Sequence, residues 1–144
     1  MTLNLKSLAI EYFEEDNSRK PQYYISIGRD TLKEANTANV YRFSKGIVSR
    51  YNLDDYTHCK LGFNEQFQVI TFTFVKRKDG QKIPPWFLKL TRDKNIRKIS
   101  GLKFARKWQI NNDQYAGKYP YHERSTGNAG LELAIILTEK NKIQ

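Results

Sequence analysis

At 144 residues the chain is the size of one ordinary domain, and 39% hydrophobic with 13% aromatic residues is apolar mass enough for a packed core and too much for a disordered chain. The longest apolar run, residues 133–137, falls far short of the roughly 20 residues of a membrane helix, and a single cysteine, Cys59, excludes an internal disulfide. Twenty-five Lys and Arg stand against 15 Asp and Glu, a net charge of +10 that favours polyanionic partners over cationic ones.

The chain opens with MTLNLKSLAIEYFEED, which has neither the basic head nor the long apolar core of a signal peptide, so a soluble, cytoplasmic protein with no membrane partner is expected. Residues 8–13, LAIEYF, fit a helical stripe through Leu5, Leu8, Ala9, Tyr12 and Phe13, and also a strand through Leu8, Ile10 and Tyr12. The turn-rich EEDNSRKPQ and the β-type YYISIG (23–28) favour strand, turn, strand. Val40 to Phe43 reads as a short strand. Ser44 then reads as the N-cap of a short helix whose Ile47, Val48 and Tyr51 share one face. Gly46 inside that helix costs about 1 kcal/mol relative to Ala, so the helix needs tertiary support.

Two extended runs follow, THCKLGF and QFQVITFTFV. In the second, Phe67, Val69, Thr71 and Thr73 alternate with Ile70, Phe72 and Phe74, which predicts a central, well-buried strand. Asp79-Gly80 predicts a type I′ hairpin over 76–85, ended by Pro84 and Pro85, which cannot donate to a ladder. WFLKLTRD (86–93) is again extended. SGLKFARKWQI (100–110) predicts a helix capped by Ser100, with Leu102, Phe104, Ala105 and Trp108 toward the core and Lys103, Arg106 and Lys107 together on another face. Tyr115, Tyr119 and Tyr121 fall in a Gly/Pro-bearing loop, YAGKYPYHER.

The second half echoes the first. WFLKLTRD parallels YYISIGRD (23–30), ISGLKFARKWQI (99–110) parallels the segment ending GIVSRYNL (46–53), and YHERSTGNAGLELAIIL (121–137) parallels HCKLGFNEQFQVITFTF (58–74). The expected fold is therefore a single strand-rich α+β domain over 1–144. Two similar strand-helix-strand-strand halves, 22–75 and 86–138, are joined by the basic hairpin 76–85. They would close one barrel or sandwich about a pseudo-two-fold axis.

Charge is segregated. Lys76, Arg77, Lys78, Lys82, Lys89, Arg92, Lys94, Arg97, Lys98, Lys103, Arg106 and Lys107 face only Asp79 and Asp93 within 76–107, so this stretch holds the whole net excess. Solubility does not require such segregation, whereas a polyanion partner does. The candidate nucleic-acid contacts are all of these cations except Lys89, with Trp86, Tyr115, Tyr119 and Tyr121 as candidate stacking residues.

At RFSKGIVSRYNLDDYTHCKLGFNEQFQVITF the pattern resembles the AbrB/MazE type of swapped-hairpin DNA-binding domain. That family runs strand, short capped helix, a closing Leu or Ile, an acidic turn and two strands. Here Ser44 stands where the family often has proline, Leu53 closes the helix, Asp54-Asp55 form the acidic turn, and Leu61 and Ile70 lie on the following strands. Gly28-Arg29 stands for the glycine-arginine pair of the family's first turn. The resemblance covers about a third of the chain. It implies duplex DNA binding and transcription regulation, with Arg29 and Arg42, and Arg92 and Arg97 in the second copy, on the DNA side.

Catalytic chemistry finds no footing. GxxxxGK[ST] and GxGxxG are absent, and His58 and Cys59 are adjacent on a strand and so point to opposite faces. Glu11, Glu14, Glu15 and Asp16 read as a solvated turn or a counter-surface for basic residues. The expectation is a non-enzymatic nucleic-acid-binding protein, DNA favoured over RNA, with strandedness open, no metal, no cofactor, and a monomeric or homodimeric state. The alternative is a small protein-binding module or inhibitor from a phage or mobile element, aimed at the acidic surface of a nucleic-acid enzyme.

Overall fold

The run VITFTFV behaves as its alternation requires: Ile70, Phe72 and Phe74 are buried, while Val69, Thr71, Thr73 and Val75 are half-buried on the other side. The computed structural model describes residues 22–30, 37–126 and 130–143, together with Ala9. The helix-or-strand segment 8–13 lies outside them, Ala9 apart.

Among these residues the chain runs through β1 (Ile25–Asp30), β2 (Thr37–Phe43), α1 (Lys45–Arg50), a 3-10 turn at Leu53–Asp55, β3 (His58–Asn64) and β4 (Val69–Val75). It continues through β5 (Phe87–Lys89), β6 (Thr91–Asp93), β7 (Ile96–Ser100), α2 (Leu102–Trp108), α3 (Asn112–Tyr115), β8 (Gly117–Tyr119), β9 (His122–Ser125) and β10 (Leu131–Ile136). A 3-10 turn at Leu137–Glu139 follows. All pairings are antiparallel, in two five-stranded sheets ordered β6-β7-β2-β1-β8 and β5-β3-β4-β10-β9. The protein is thus strand-rich α+β. Of the barrel or sandwich expected, the closed barrel does not form: among the described residues the edge strands of each sheet have three or four residues, too short to bridge the sheets.

The sheets pack face to face through aromatic rings. Phe72 meets Tyr41 at 5.5 Å and Phe43 at 5.3 Å, and Phe74 meets Phe43 at 5.0 Å, all edge-to-face. Each such pair contributes about 0.5–1.5 kcal/mol beyond its burial. Ile25, Ile27, Ile99, Ile135 and Leu133 complete this core. Cys59 points inward among them, while His58 faces the other way. Burial pushes the Cys59 thiol well above its ordinary pKa. Iodoacetamide at about pH 8 should therefore label the native thiol at least about a hundredfold more slowly than the unfolded chain, because the thiolate is the nucleophile. Labelling at the unfolded rate would show that β3 is not seated as described.

Four local readings are corrected. Ser44 precedes α1 but makes no side-chain cap. Its hydroxyl instead accepts from the Tyr24 N–H at 3.0 Å and donates to the Gln22 carbonyl at 2.6 Å, clamping the chain before β1 onto the helix start. Ser100 is the last residue of β7, and Gly101 occupies the cap position of α2. A Cβ at Gly101 would lie 2.4 Å from the Tyr41 ring, so only glycine lets the helix turn off so close to the core. The 76–85 segment is a loop, not a strand-paired hairpin: Gln81 N–H bonds the Lys78 carbonyl at 3.0 Å, and Gly80 (φ +75°) but not Asp79 takes a positive φ, so a type I′ turn is excluded. Finally, 115–124 is no open loop, since it holds the end of α3, then β8 and β9.

Candidate nucleic-acid interface

β5 and β6 are separated only by Leu90, yet β5 is the edge of one sheet and β6 the edge of the other. Both edges therefore lie on one flank of the sandwich. β8 and β9, two residues apart, form the edges of the opposite flank. This topology sorts the charge. Lys89 lies on β5, Arg92 on β6 and Lys94 in the turn after it, while Lys76, Arg77, Lys78 and Lys82 lie in the loop that leads into β5. The loop and strand converge at His58, whose pKa is lowered by burial and then by the charges of Arg77 and Lys89. Around the β8 and β9 flank, carboxylates are paired: Arg29 with Asp113 at 3.1 Å, His122 with Glu139 at 2.6 Å, and Arg124 with Glu132 at 2.9 Å.

Helix α2 seats beside β3, the neighbour of β5. Phe104 and Trp108, four residues apart on one helical face, meet Phe63 at 6.3 and 5.3 Å. That orientation leaves Lys103, Arg106 and Lys107 exposed, as their spacing predicts.

Ten of the twelve basic residues of 76–107 are exposed, and among the described residues none of the ten is ion-paired. The two exceptions are instructive. Arg97, expected at the surface, is 6% exposed; β7 turns it inward beside Phe43, where its guanidinium bonds Asp54 of the acidic turn and the Ile96 carbonyl. Its guanidinium is spent on an exposed carboxylate of the same chain while its own side chain is buried, so it is not a surface contact. Lys98 is half-buried, 3.9 Å from Asp93. Of the other arginines that the family resemblance singles out, Arg29 engages Asp113 and Arg42 donates to the Arg29 carbonyl at 3.0 Å, both away from the β5 and β6 flank.

The aromatic candidates divide similarly. Trp86 is 61% exposed. Tyr119 is buried, its hydroxyl donating to the Tyr115 carbonyl at 2.6 Å, and Tyr115 is packed against the core. Tyr121 is half-buried and accepts from Arg50 at 2.6 Å. It lies 3.2 Å from the hydroxyl of Tyr51, which donates to Glu123. These three tyrosines serve packing and hydrogen bonding rather than display. Two residues outside the sequence-predicted set stand out, one beside β5 and one at the β3–β4 turn. Lys60 is exposed on β3 directly opposite Phe87, its ammonium 5.8 Å from that ring. Phe67 is 64% exposed at the β3–β4 turn. Alternation had placed Phe67 inside a strand, and the N–H···Oδ1 bond from Phe67 to Asn64 at 2.9 Å instead marks a turn. Asn64, a turn-forming residue three positions earlier, was the available signal.

Among the described residues no group of three His, Cys, Asp or Glu side chains could hold a metal ion, and no helix is long and apolar enough to cross a membrane. No protein-family model matches the chain, and no curated protein or solved structure does.

Proposed function

We propose that the chain is a non-enzymatic nucleic-acid-binding protein that holds the phosphate backbone on the flank formed by the 76–86 loop, β5, β6 and α2. The observation that carries this reading is the set of ten exposed cations with no ion-pair partner among the described residues, seven of them on or beside the two edge strands and three on α2. Among the described residues, carboxylates are ion-paired around the other flank and at Arg97 and Lys98, and none pairs with these ten cations. Such a surface binds polyanions by releasing their condensed counterions.

The same reading takes residues 22–75 and 86–138 as a duplication. It is supported by the order of pairs: β1–β2, α1, β3–β4 in one half and β6–β7, α2, β9–β10 in the other, with β2 against β7 and β4 against β10 at the sheet centres.

The test is a salt titration of binding to a labelled oligonucleotide. With about five to eight phosphates neutralised, log K should fall with log salt at about 0.7 per phosphate on single strands, or about 0.9 on duplex. Affinity that ignores salt, or no measurable binding at low salt, would remove the proposal.

A further inference from the structure

We infer that the flank binds single-stranded rather than duplex nucleic acid, with Trp86 and Phe67 as stacking platforms at either side of the cationic face of α2. This rests on the nucleic-acid reading above and gives it a ligand class.

The inference starts from the two most exposed large apolar side chains among the described residues, Phe67 and Trp86. Both border the same strand. The β3–β5 register ends with Lys60 opposite Phe87, and Trp86 is the next residue, in the turn that leads into β5. Phe67 sits at the far end of β3, in the turn that begins at Asn64. The two anchor points, Lys60 and Asn64, are about 13 Å apart along the strand. Between them lies Phe63, the residue on which α2 is seated through Phe104 and Trp108. Lys103, Arg106 and Lys107 are therefore carried on the helix that packs between the two rings.

Both rings are held on built turns. Phe87 N–H closes on the Pro84 carbonyl at 3.0 Å, which places Pro85 and its locked φ at the first central position and Trp86 at the second. The Phe67 turn is fixed by the Asn64 side chain, by Gln68 Nε2 donating to the Glu65 carbonyl at 2.8 Å, and by Leu137 N–H donating to the Gln68 carbonyl at 2.9 Å. With the backbone beneath each ring ordered in advance, only side-chain freedom is lost when a base stacks on it. In a duplex the bases are paired and stacked on one another, so two exposed rings outside a groove find no π-face. In a single strand every base offers one, and cations between the rings meet the phosphates.

The experiment measures anisotropy of labelled oligonucleotides of about 30 nucleotides, as oligo-dT, oligo-U and a mixed-sequence duplex, against wild-type protein and Trp86→Ala, Phe67→Ala and Trp86→Phe. Wild type should prefer the single strands. Each alanine variant should lose about tenfold on single strands, Trp86→Phe should recover most of it, and the salt slope should not change, since no phosphate contact is removed. Oligo-dT and oligo-U tell DNA from RNA, and either preference fits. Duplex binding as tight as single-strand binding, or alanine variants that bind single strands like wild type, would overturn the inference while leaving salt-dependent binding in place. Loss of salt-dependent binding by wild type to all three probes would instead sink the nucleic-acid reading and this inference with it. Both side chains are exposed, so unchanged thermal unfolding is the check that any loss is local.

Discussion

Replacing Gly46 by alanine is expected to destabilise the protein by about 2 kcal/mol, a fall of roughly 5 °C in midpoint for a chain this size. From the residue type alone the opposite is expected, since alanine in a helix gains about 1 kcal/mol over glycine. The surroundings reverse the sign. A Cβ at Gly46 would lie 2.3 Å from the Gln22 carbonyl oxygen and 2.8 Å from the Tyr23 ring. Gln22 is backbone, held by the Gly46 N–H at 3.1 Å and by the Ser44 hydroxyl, so it cannot move without breaking both bonds. Tyr23 is held from its other side by the Arg50 guanidinium, 3.9 Å from the ring centre. Relief would mean detaching the chain before β1 from α1. Thermal unfolding followed by circular dichroism decides the matter. A midpoint equal to or above that of wild type would show that residues 22–24 are not clamped on the helix start.

Reversing Lys103, Arg106 and Lys107 to glutamate together is expected to weaken nucleic-acid binding by about a thousandfold at about 50 mM salt and to reduce the salt slope by about two on single strands. Three cations are lost from one face and three anions replace them, so attraction turns to repulsion at the same phosphates. All three side chains are exposed and, among the described residues, unpaired by any acid, so folding should be unaffected. Anisotropy across a salt series reads both quantities. An unchanged slope would place the phosphates elsewhere and take α2 out of the interface. Wild-type capture of an acidic protein, with nucleic acid bound weakly from the outset, would favour the inhibitor reading.

Local pattern was a good guide where the cause was local. The alternation of VITFTFV placed Ile70, Phe72 and Phe74 inside a central strand. The spacing of Phe104 and Trp108 against Lys103, Arg106 and Lys107 set the two faces of α2, and the adjacency of His58 and Cys59 sent them to opposite sides of β3. Reading failed where the cause was a partner distant in sequence. Arg97 sits in a run of cations, yet pairing of β7 with β2 turns it inward and Asp54, 43 residues away, takes its guanidinium. Ser44 has the residue type and position of a cap, yet Gln22 and Tyr24 take its hydroxyl. Tyr119 lies among loop-like residues, yet pairing with Ile25 makes it part of β8 and of the core.

What the amino-acid sequence determined unaided was a strand-rich α+β chain with a short basic helix and an excess of positive charge confined to one stretch. Periodicity and charge order are properties of neighbours along the chain, and no fold is needed to count them. The tertiary structure decided which of those cations reach the surface, and that β5 and β6, joined through Leu90, put the edges of two sheets on one flank. It also decided that Trp86 adjoins the Phe87 that pairs with β3, while Phe67 lies in the turn after β3. Strand register and sheet order bring together residues whose separation in sequence carries no information about their separation in space, and that is why the flank could not be read before the sheets were paired.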